Sequence, residues 1–565
     1  MDHMARVSSR MSGLSIATGL LLFATILSAP RQLSAQGVAE ASSVEVSTQT
    51  EADAIEKGLQ FERSQLWSDA VRHYESEYRK FPESTTLYQR LIISRLHFDV
   101  KRRYKDDSFL SAVGRLGTSQ ALDLYSEVLA NLQTHYVDPV DWQRVMIHGT
   151  AALEVALTES EFNDRLLVGV DPAKVEQFRQ TIHHHIKDRS TSTRFDLRAN
   201  VAVAAELARS EIGLSSTATV LEFLSGAVST LDPYTRLLSP NQLDEMFSNI
   251  EGNFVGLGVE LKTESDCLQI LSVIPEGPAE EAGVKPGEKI IRVESSSTEQ
   301  VDPDYVADLL RGPEHTYVSL SVEGVDGVRR DLTIQRRRVE VPCVENVHFV
   351  DVDNRVGYFR LTNFQKTTVR DVERALWKLH REGMQSLIID VRGNPGGLLS
   401  AAVEVADRFL GNGRIVTTRG RNVRENFDYM AHRPNTWNVP LAVLIDRDSA
   451  SASEIFAGAI ADSNRGVIVG ETSYGKGSVQ GIFRMQIANF GLCLTTAKFY
   501  SPNGREISRN GVVPTISVNP TYIAARPNAE GKITLDQEDA VLQSAIVGLS
   551  DRNMISRDHS AAYAK

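Results

Sequence analysis

Asp390-Val-Arg-Gly-Asn-Pro-Gly-Gly397 follows one apolar run, Ser386–Val391, and leads into a helical pattern, Leu398–Leu410. Glycines at such a turn allow a sharp reversal and leave main-chain N–H groups exposed at a helix N-terminus. Exposed N–H groups of this kind can hold an oxyanion. The same alternation recurs on either side. Strands are expected at Val356–Leu361, Leu441–Ile445 and Val467–Val469, and helices at Val369–Arg381 and Ala452–Ala461. Val369, Val372, Leu376 and Leu379 form the apolar stripe of the first of these helices. Strands alternating with helices in this way predict an α/β core.

Two further segments sit inside that core. Ser449-Ala-Ser-Ala-Ser-Glu454 opens a helix, and Tyr474-Gly-Lys-Gly-Ser-Val-Gln480 follows the strand Val467–Val469. A serine hydroxyl is a weak nucleophile near neutral pH and needs a base beside it. A lysine serves as that base once burial lowers its pKa, and Ser/Lys pairs are a known variant of serine catalysis. Ser449, Ser451 and Ser453 all compete for the nucleophile's position, and any of them could instead be a helix cap. The sequence physics does not choose among them.

Upstream, residues 250–340 change character. Short strands are expected at Phe254–Leu261, Leu268–Val273, Lys289–Val293, Val318–Val322 and Arg329–Gln335, with a helix near Asp304–Arg311, which together make a small sheet module. Residues 51–230 read as helical, including a helix near Leu122–Thr134. Within them, 51–84 resembles one tetratricopeptide repeat at Gly58, Phe61, Ala70, Tyr74 and Pro82. One repeat cannot bury a solenoid core, so a helical pair docked on its neighbours is expected, with a peptide-binding platform as the alternative. Asp232-Pro-Tyr-Thr-Arg-Leu-Leu-Ser-Pro240 closes the helical region with turn chemistry. Past Thr521 the chain is polar, with a short helix expected near Gln537–Leu549.

The first 35 residues read as an export signal: Arg6 and Arg10, an apolar run from Leu14 to Ala29, and small residues at Leu33-Ser34-Ala35. An uncleaved anchor is the alternative. The 565 residues carry a net charge of -12 with no long basic run, which excludes nucleic acid as a partner. Cys267, Cys343 and Cys493 are too few for a disulfide framework and read as small core residues. His183, His184 and His185 are consecutive on a helix and point in three directions, so they do not converge on a metal ion.

The motifs at 390–397, 449–454 and 475–480, in this order and spacing, resemble the carboxyl-terminal processing (tail-specific) serine peptidases. Phe499-Tyr-Ser-Pro-Asn-Gly-Arg-Glu-Ile507 and Gly511-Val-Val-Pro514 are similar to that family's closing segment. The resemblance spans about residues 118–155 and 217–520. It implies a multidomain α+β protein: a crotonase/ClpP-like α/β peptidase core, an inserted PDZ domain and an N-terminal helical region. The implied division is a signal peptide over 1–35, a flexible leader over 36–50, a helical hairpin region over 51–115, a helical region over 116–249, the PDZ domain over 250–340, the core over 341–520 and a C-terminal segment over 521–565. By the same resemblance Ser451 is the nucleophile, Lys476 the general base and Gln480 the residue that orients the lysine amine. The N–H groups of Gly397 and Ala452 form the oxyanion hole, with Gly396 the near alternative to Gly397, and Asp462 is a structural support. Gly256, Leu257, Gly258 and Val259 match a PDZ carboxylate-binding loop, with Val306, Leu309 and Leu310 lining the side-chain pocket. Two departures stand out: the charged Asp446-Arg-Asp448 before the serine, and residues 156–216, which look like an insertion.

The expected activity is that of an exported serine endopeptidase of the periplasm or cell envelope that needs no metal or cofactor. Its substrates are proteins or peptides with accessible C-termini, and its N-terminal helical region is open to adaptor binding or self-association. The alternatives are a non-catalytic PDZ and helical-repeat adaptor, and an acyl-CoA enzyme of crotonase type, which would have no use for Lys476.

Overall fold

The structure, a computed structural model, describes residues 50–187, 189–229, 231–264, 267–298, 309–310, 312–432, 436–518 and 539–549. The expected signal peptide, most of the leader, Val306 with nearly all of the helix expected at 304–311, and residues 550–565 lie outside these.

Three neighbouring parallel strands, Ser386–Asp390, Leu441–Ile445 and Val467–Gly470, are the centre of the α/β core. Every residue in them is buried, because layers cover both faces of the sheet. Alternate side chains Leu387, Ile389, Val443 and Ile468 pack under helices Thr368–Arg381, Leu399–Asp407 and Ala452–Asp462. On the other face, Ile388, Ala442, Leu444 and Val469 meet Val541, Leu542, Ala545 and Leu549 of a tail helix. Val356–Leu361 continues the sheet in parallel, Val344–Asp351 closes that side antiparallel, and Ile516–Ser517 adds to the opposite edge. Arg392 fastens the tail helix by bridging Asp390 (2.6 Å) and Asp539 (2.8 Å).

A second, antiparallel sheet contains Arg236–Leu238, Gly491–Tyr500, Arg414–Arg419 and Phe427–Met430, with Ser478–Arg484 paired to Gly491–Tyr500. It joins the core to the helical region. The Val137 N–H donates to the Thr495 carbonyl (2.9 Å), and Arg421 donates to the carbonyls of Leu132, Gln133 and Tyr136 at the end of helix Thr118–His135.

The helical region has one apolar core. The expected insertion is part of it: Phe162, Phe178, Ile182 and Leu197 are buried in the same cluster as Tyr125, Leu129 and Phe223. Ahead of it, α1 (Glu51–Arg63), α2 (Trp67–Lys80) and α3 (Thr85–Arg103) pack around Ala54, Ala70, Tyr74, Leu87 and Leu91. The end of α3 is tied into the helical core by Arg103, which pairs at 2.5 Å with the fully buried Glu222. The Tyr104 hydroxyl also donates to Glu222 (2.9 Å). Arg103→Ala leaves that carboxylate buried without its cation, so a loss of about 3–5 kcal/mol is expected, read from urea unfolding.

The small sheet module has strand order Val259–Glu264, Cys267–Val273, Lys289–Val293, Tyr317–Glu323 and Arg329–Gln335. The strand expected over Phe254–Leu261 is broken at Leu257-Gly258, where Gly258 takes φ +78. The piece before the break, Asn253–Gly256, pairs instead with Arg337–Glu340. That two-stranded link, together with the Lys366–Glu251 and Arg370–Glu340 ion pairs, attaches the module to the core. Among the described residues no helix is long and apolar enough to cross a membrane.

Candidate active site

Because three adjacent strands run parallel, the loops after them emerge side by side at one edge of the sheet, where ligands meet open α/β sheets. The loop after Asp390 carries Gly396 and Gly397, the loop after Ile445 carries Ser451, and the loop after Gly470 carries Lys476.

The first two loops are bolted together. The Asn394 carbonyl accepts from the Ala450 N–H and the Ser453 hydroxyl, both at 3.0 Å, while its side-chain oxygen takes the Gly396 N–H (2.9 Å). Gly396 lies so close to the serine that an added Cβ would stand 2.8 Å from Ser451 Cβ and 2.7 Å from the Ala450 oxygen. At Gly397 (φ +135) it would meet the Phe364 oxygen at 2.0 Å. Since the Gly396 N–H is already engaged, Gly397 is the member of the pair whose N–H donates to no group among the described residues, and the same holds for Ala452. The charged Asp446-Arg-Asp448 turn has a structural reason. Asp446 Oδ1 accepts the N–H groups of Gly393, Asp448 and Ser449, and Arg447 pairs with Glu471 at 2.8 Å.

The geometry separates the three serines. Ser449 is fully buried and donates to the Val391 carbonyl (2.8 Å), and Ser453 is fully buried and bound to Asn394. The Ser451 hydroxyl makes no cap hydrogen bond to its helix and is partly exposed. Its residue is held at φ +56, a left-handed setting that costs a non-glycine residue about 1–3 kcal/mol and recurs at functional sites.

Glu454 had no role in the sequence reading, yet it joins the serine to the lysine. It is 1% exposed. One carboxylate oxygen accepts from the Ser473 hydroxyl (2.6 Å) and the Gly475 N–H (2.7 Å), the other from the N–H groups of Ser451 (2.8 Å) and Lys476 (2.9 Å). Burial raises its pKa, and these four donors pull it back. The available signal was a glutamate three residues after a serine at a helix start.

Burial holds the Lys476 ammonium below its ordinary value. Arg236 adds to that shift, while Cys493, Glu454 and Asp232 oppose it. The lysine nitrogen lies 4.8 Å from the centroid of the Tyr234 ring and makes no hydrogen bond to the Ser451 hydroxyl in this structure. Its loop is held from behind: the Arg509 N–H donates to the Gly475 carbonyl (2.9 Å) and the Phe499 N–H to that of Gly477 (2.9 Å). Gln480, expected on the lysine amine, donates to the hydroxyls of Ser478 (2.9 Å) and Thr495 (3.5 Å) instead. Asp462 pairs with Arg505 at 2.6 Å and accepts the Asn503 N–H, which ties the segment after Tyr500 to the end of helix Ala452–Asp462. Cys493 and Cys343 are buried free thiols, and burial pushes the Cys343 thiol up to about 11.

In the sheet module, Gly256, Leu257, Gly258 and Val259 lie between the link and the edge strand. The Leu257 carbonyl accepts from Ala279 (2.8 Å) and the Gly258 carbonyl from Ile274 (2.9 Å), while the N–H groups of Leu257 and Gly258 donate to no group among the described residues. Leu310 and Leu257 share the module's apolar core, and Leu309 packs against it.

The likeness to known proteins follows the same lines. Residues 355–518 match peptidase family S41 and residues 269–324 match the PDZ domain. A carboxy-terminal-processing protease of Bartonella bacilliformis is 35% identical over 52% of this chain and 68% of its own length. One from Synechocystis is 34% identical over 51% of this chain and 68% of its own. Among solved structures, a photosystem II D1 C-terminal processing protease is 26% identical, covering 71% of this chain and 94% of that one, at a TM-score of 0.38. With relatives at this identity over two thirds of their length and a matching family model over its α/β core, the chain belongs to the carboxyl-terminal processing serine proteases of peptidase family S41.

Proposed function

We propose that this protein is a Ser/Lys endopeptidase in which Ser451 attacks the scissile carbonyl, Lys476 takes its proton, and the N–H groups of Gly397 and Ala452 stabilise the oxyanion. The observation that carries the reading is Glu454, whose buried carboxylate binds the main chain of both Ser451 and Lys476 and so sets their loops against each other. The lysine acts only as a neutral amine, so it must leave its place over Tyr234 and turn to the serine when substrate enters. It then returns the proton to the leaving amine, and water releases the acyl group by the same route. Gln480 orients the lysine through the Ser478–Thr495 side of the loop rather than by direct contact.

Cleavage of an unfolded protein by the full chain tests this reading. The rate is expected to climb with pH as the amine deprotonates, with its midpoint below the ordinary lysine value of about 10.4. Lys476→Arg is expected to lower turnover by about 10²–10⁴-fold at unchanged melting temperature, because guanidinium keeps its proton. Undiminished turnover in that variant would place the base elsewhere.

The PDZ module is proposed to capture a substrate C-terminus. The terminal carboxylate meets the Leu257-Gly258 N–H groups, and the peptide adds as a strand beside Val259–Glu264, which is an edge of its sheet. A peptide with a free carboxylate is expected to be cut faster than its C-terminal amide at sub-saturating concentration. Equal kcat/KM for the two would remove carboxylate reading. The site of action is proposed to be outside the cytoplasm, in the cell envelope, with residues 1–35 as the export signal.

A further inference from the structure

The N-terminal helical pair reaches the lysine loop. Arg79, near the end of α2, places its guanidinium 3.8 Å from the centroid of the Tyr474 ring. Tyr474 stands two residues before Lys476, and its own N–H donates to the Ser449 carbonyl (3.0 Å) in the nucleophile loop. Its phenol adjoins that of Tyr234, whose pKa is raised first by burial and then by the neighbouring Tyr474. Tyr234 in turn presents its ring to the Lys476 nitrogen at 4.8 Å. The Tyr234 backbone is set by Asp232, which accepts the N–H groups of Tyr234 (2.8 Å) and Thr235 (3.0 Å) and the Thr495 hydroxyl (3.0 Å). Arg79, Tyr474, Tyr234 and Lys476 therefore form one continuous chain of contacts running from a helix of the repeat to the base. Arg79 lies outside both segments that match known families.

We propose that Arg79 is a positioning residue for Lys476, and that the N-terminal helical pair walls off the base when it docks on Tyr474. The inference rests on the reading of Lys476 as the general base. A guanidinium on an aromatic face is a favourable contact that also shields the ring from water. With Tyr474 covered, the pocket around the amine stays dry, and a dry pocket keeps the amine neutral near physiological pH. The groups facing Lys476 from the surrounding elements are Tyr234 and Arg236 with Asp232 on the segment that closes the helical region, Cys493 on the second sheet and Glu454 on the nucleophile helix. Tyr474 and Arg79 add the wall contributed by the lysine's own loop and by α2. Of these groups Arg79 is the one from the repeat, so it is the handle by which that region acts on the base.

The test is the pH–rate profile of full-length wild type, Arg79→Ala and Arg79→Lys on one unfolded substrate, with melting temperatures measured alongside. Arg79→Ala is expected to move the rising limb to higher pH by about half a unit or more and to cut kcat near pH 7 about threefold or more, with the plateau at high pH retained. Arg79→Lys keeps a cation over the ring and is expected to restore much of the profile. Superimposable wild-type and Arg79→Ala profiles would overturn the proposal, as would a uniform fall in rate at all pH values or a gain in kcat. Lys476→Arg is run beside them: if it is inactive while Arg79→Ala is unshifted, the role of Arg79 fails and the dyad stands. If Lys476→Arg is active, the assignment of the base itself fails.

Discussion

Ser451→Ala is expected to abolish peptide hydrolysis, with a drop in kcat on the order of 10⁵–10⁶-fold, while the folded protein keeps its melting temperature. The size follows from how such sites behave: removing the nucleophile of a coupled catalytic set costs nearly as much as removing the whole set. The preserved stability follows from local contacts. The Ser451 hydroxyl caps nothing, and the bonds its residue does make are main-chain ones that alanine retains: its N–H donates to Glu454 and its carbonyl accepts from the N–H groups of Glu454 and Ile455. An exposed-side change of this kind stays within about 0.5 kcal/mol. Substituting the neighbours gives the opposite pattern. Ser449→Ala or Ser453→Ala removes a fully buried hydroxyl bond to Val391 or Asn394 and loosens the loop without deleting a nucleophile. Rates for the three alanine variants on one peptide decide the matter; turnover surviving in Ser451→Ala would remove the assigned nucleophile.

Glu454→Ala is expected to cost both stability and activity. It strips an acceptor from four donors at once: the N–H groups of Ser451, Gly475 and Lys476 and the Ser473 hydroxyl. A buried donor left without a partner costs about 1–3 kcal/mol. The four share one site and do not add, so a net loss of about 3–5 kcal/mol is expected from urea unfolding. Activity falls further than stability, because the serine and lysine loops lose their common anchor and a misplacement of about 1 Å can cost 10²-fold in rate. Glu454→Gln separates the two effects. The amide keeps the volume and one accepting oxygen but turns an NH₂ toward two donors, so kcat is expected to fall about 10²-fold with much of the stability retained. A Glu454→Gln enzyme with wild-type kcat would reduce the carboxylate to packing.

The three central strands were legible because their burial is complete, and the helices over them through the apolar stripe they turn to the sheet. Parallel strands covered on both faces read as unbroken apolar runs, and Leu441–Ile445 and Val356–Leu361 begin and end where expected. The second sheet was not legible as a sheet. Its strands Arg414–Arg419 and Gly491–Tyr500 pair across a long stretch of chain, and nothing local announces that partnership. The same limit applied at the site. Three serines looked alike because the fate of each hydroxyl is set by acceptors such as the Val391 carbonyl, far along the chain. Family likeness singled out Ser451, and geometry supplies an independent reason for the same choice. It also places Gln480 on Thr495, a contact that the likeness did not imply. Tyr234 and Arg79 were invisible as neighbours of Lys476, since only the folded chain brings them there.

Arg509 and Ser508 brace the lysine loop from the far side, and they are made well after the serine and the lysine themselves. A chain still being synthesised therefore carries Ser451 and Lys476 before it has the segment that backs the lysine loop.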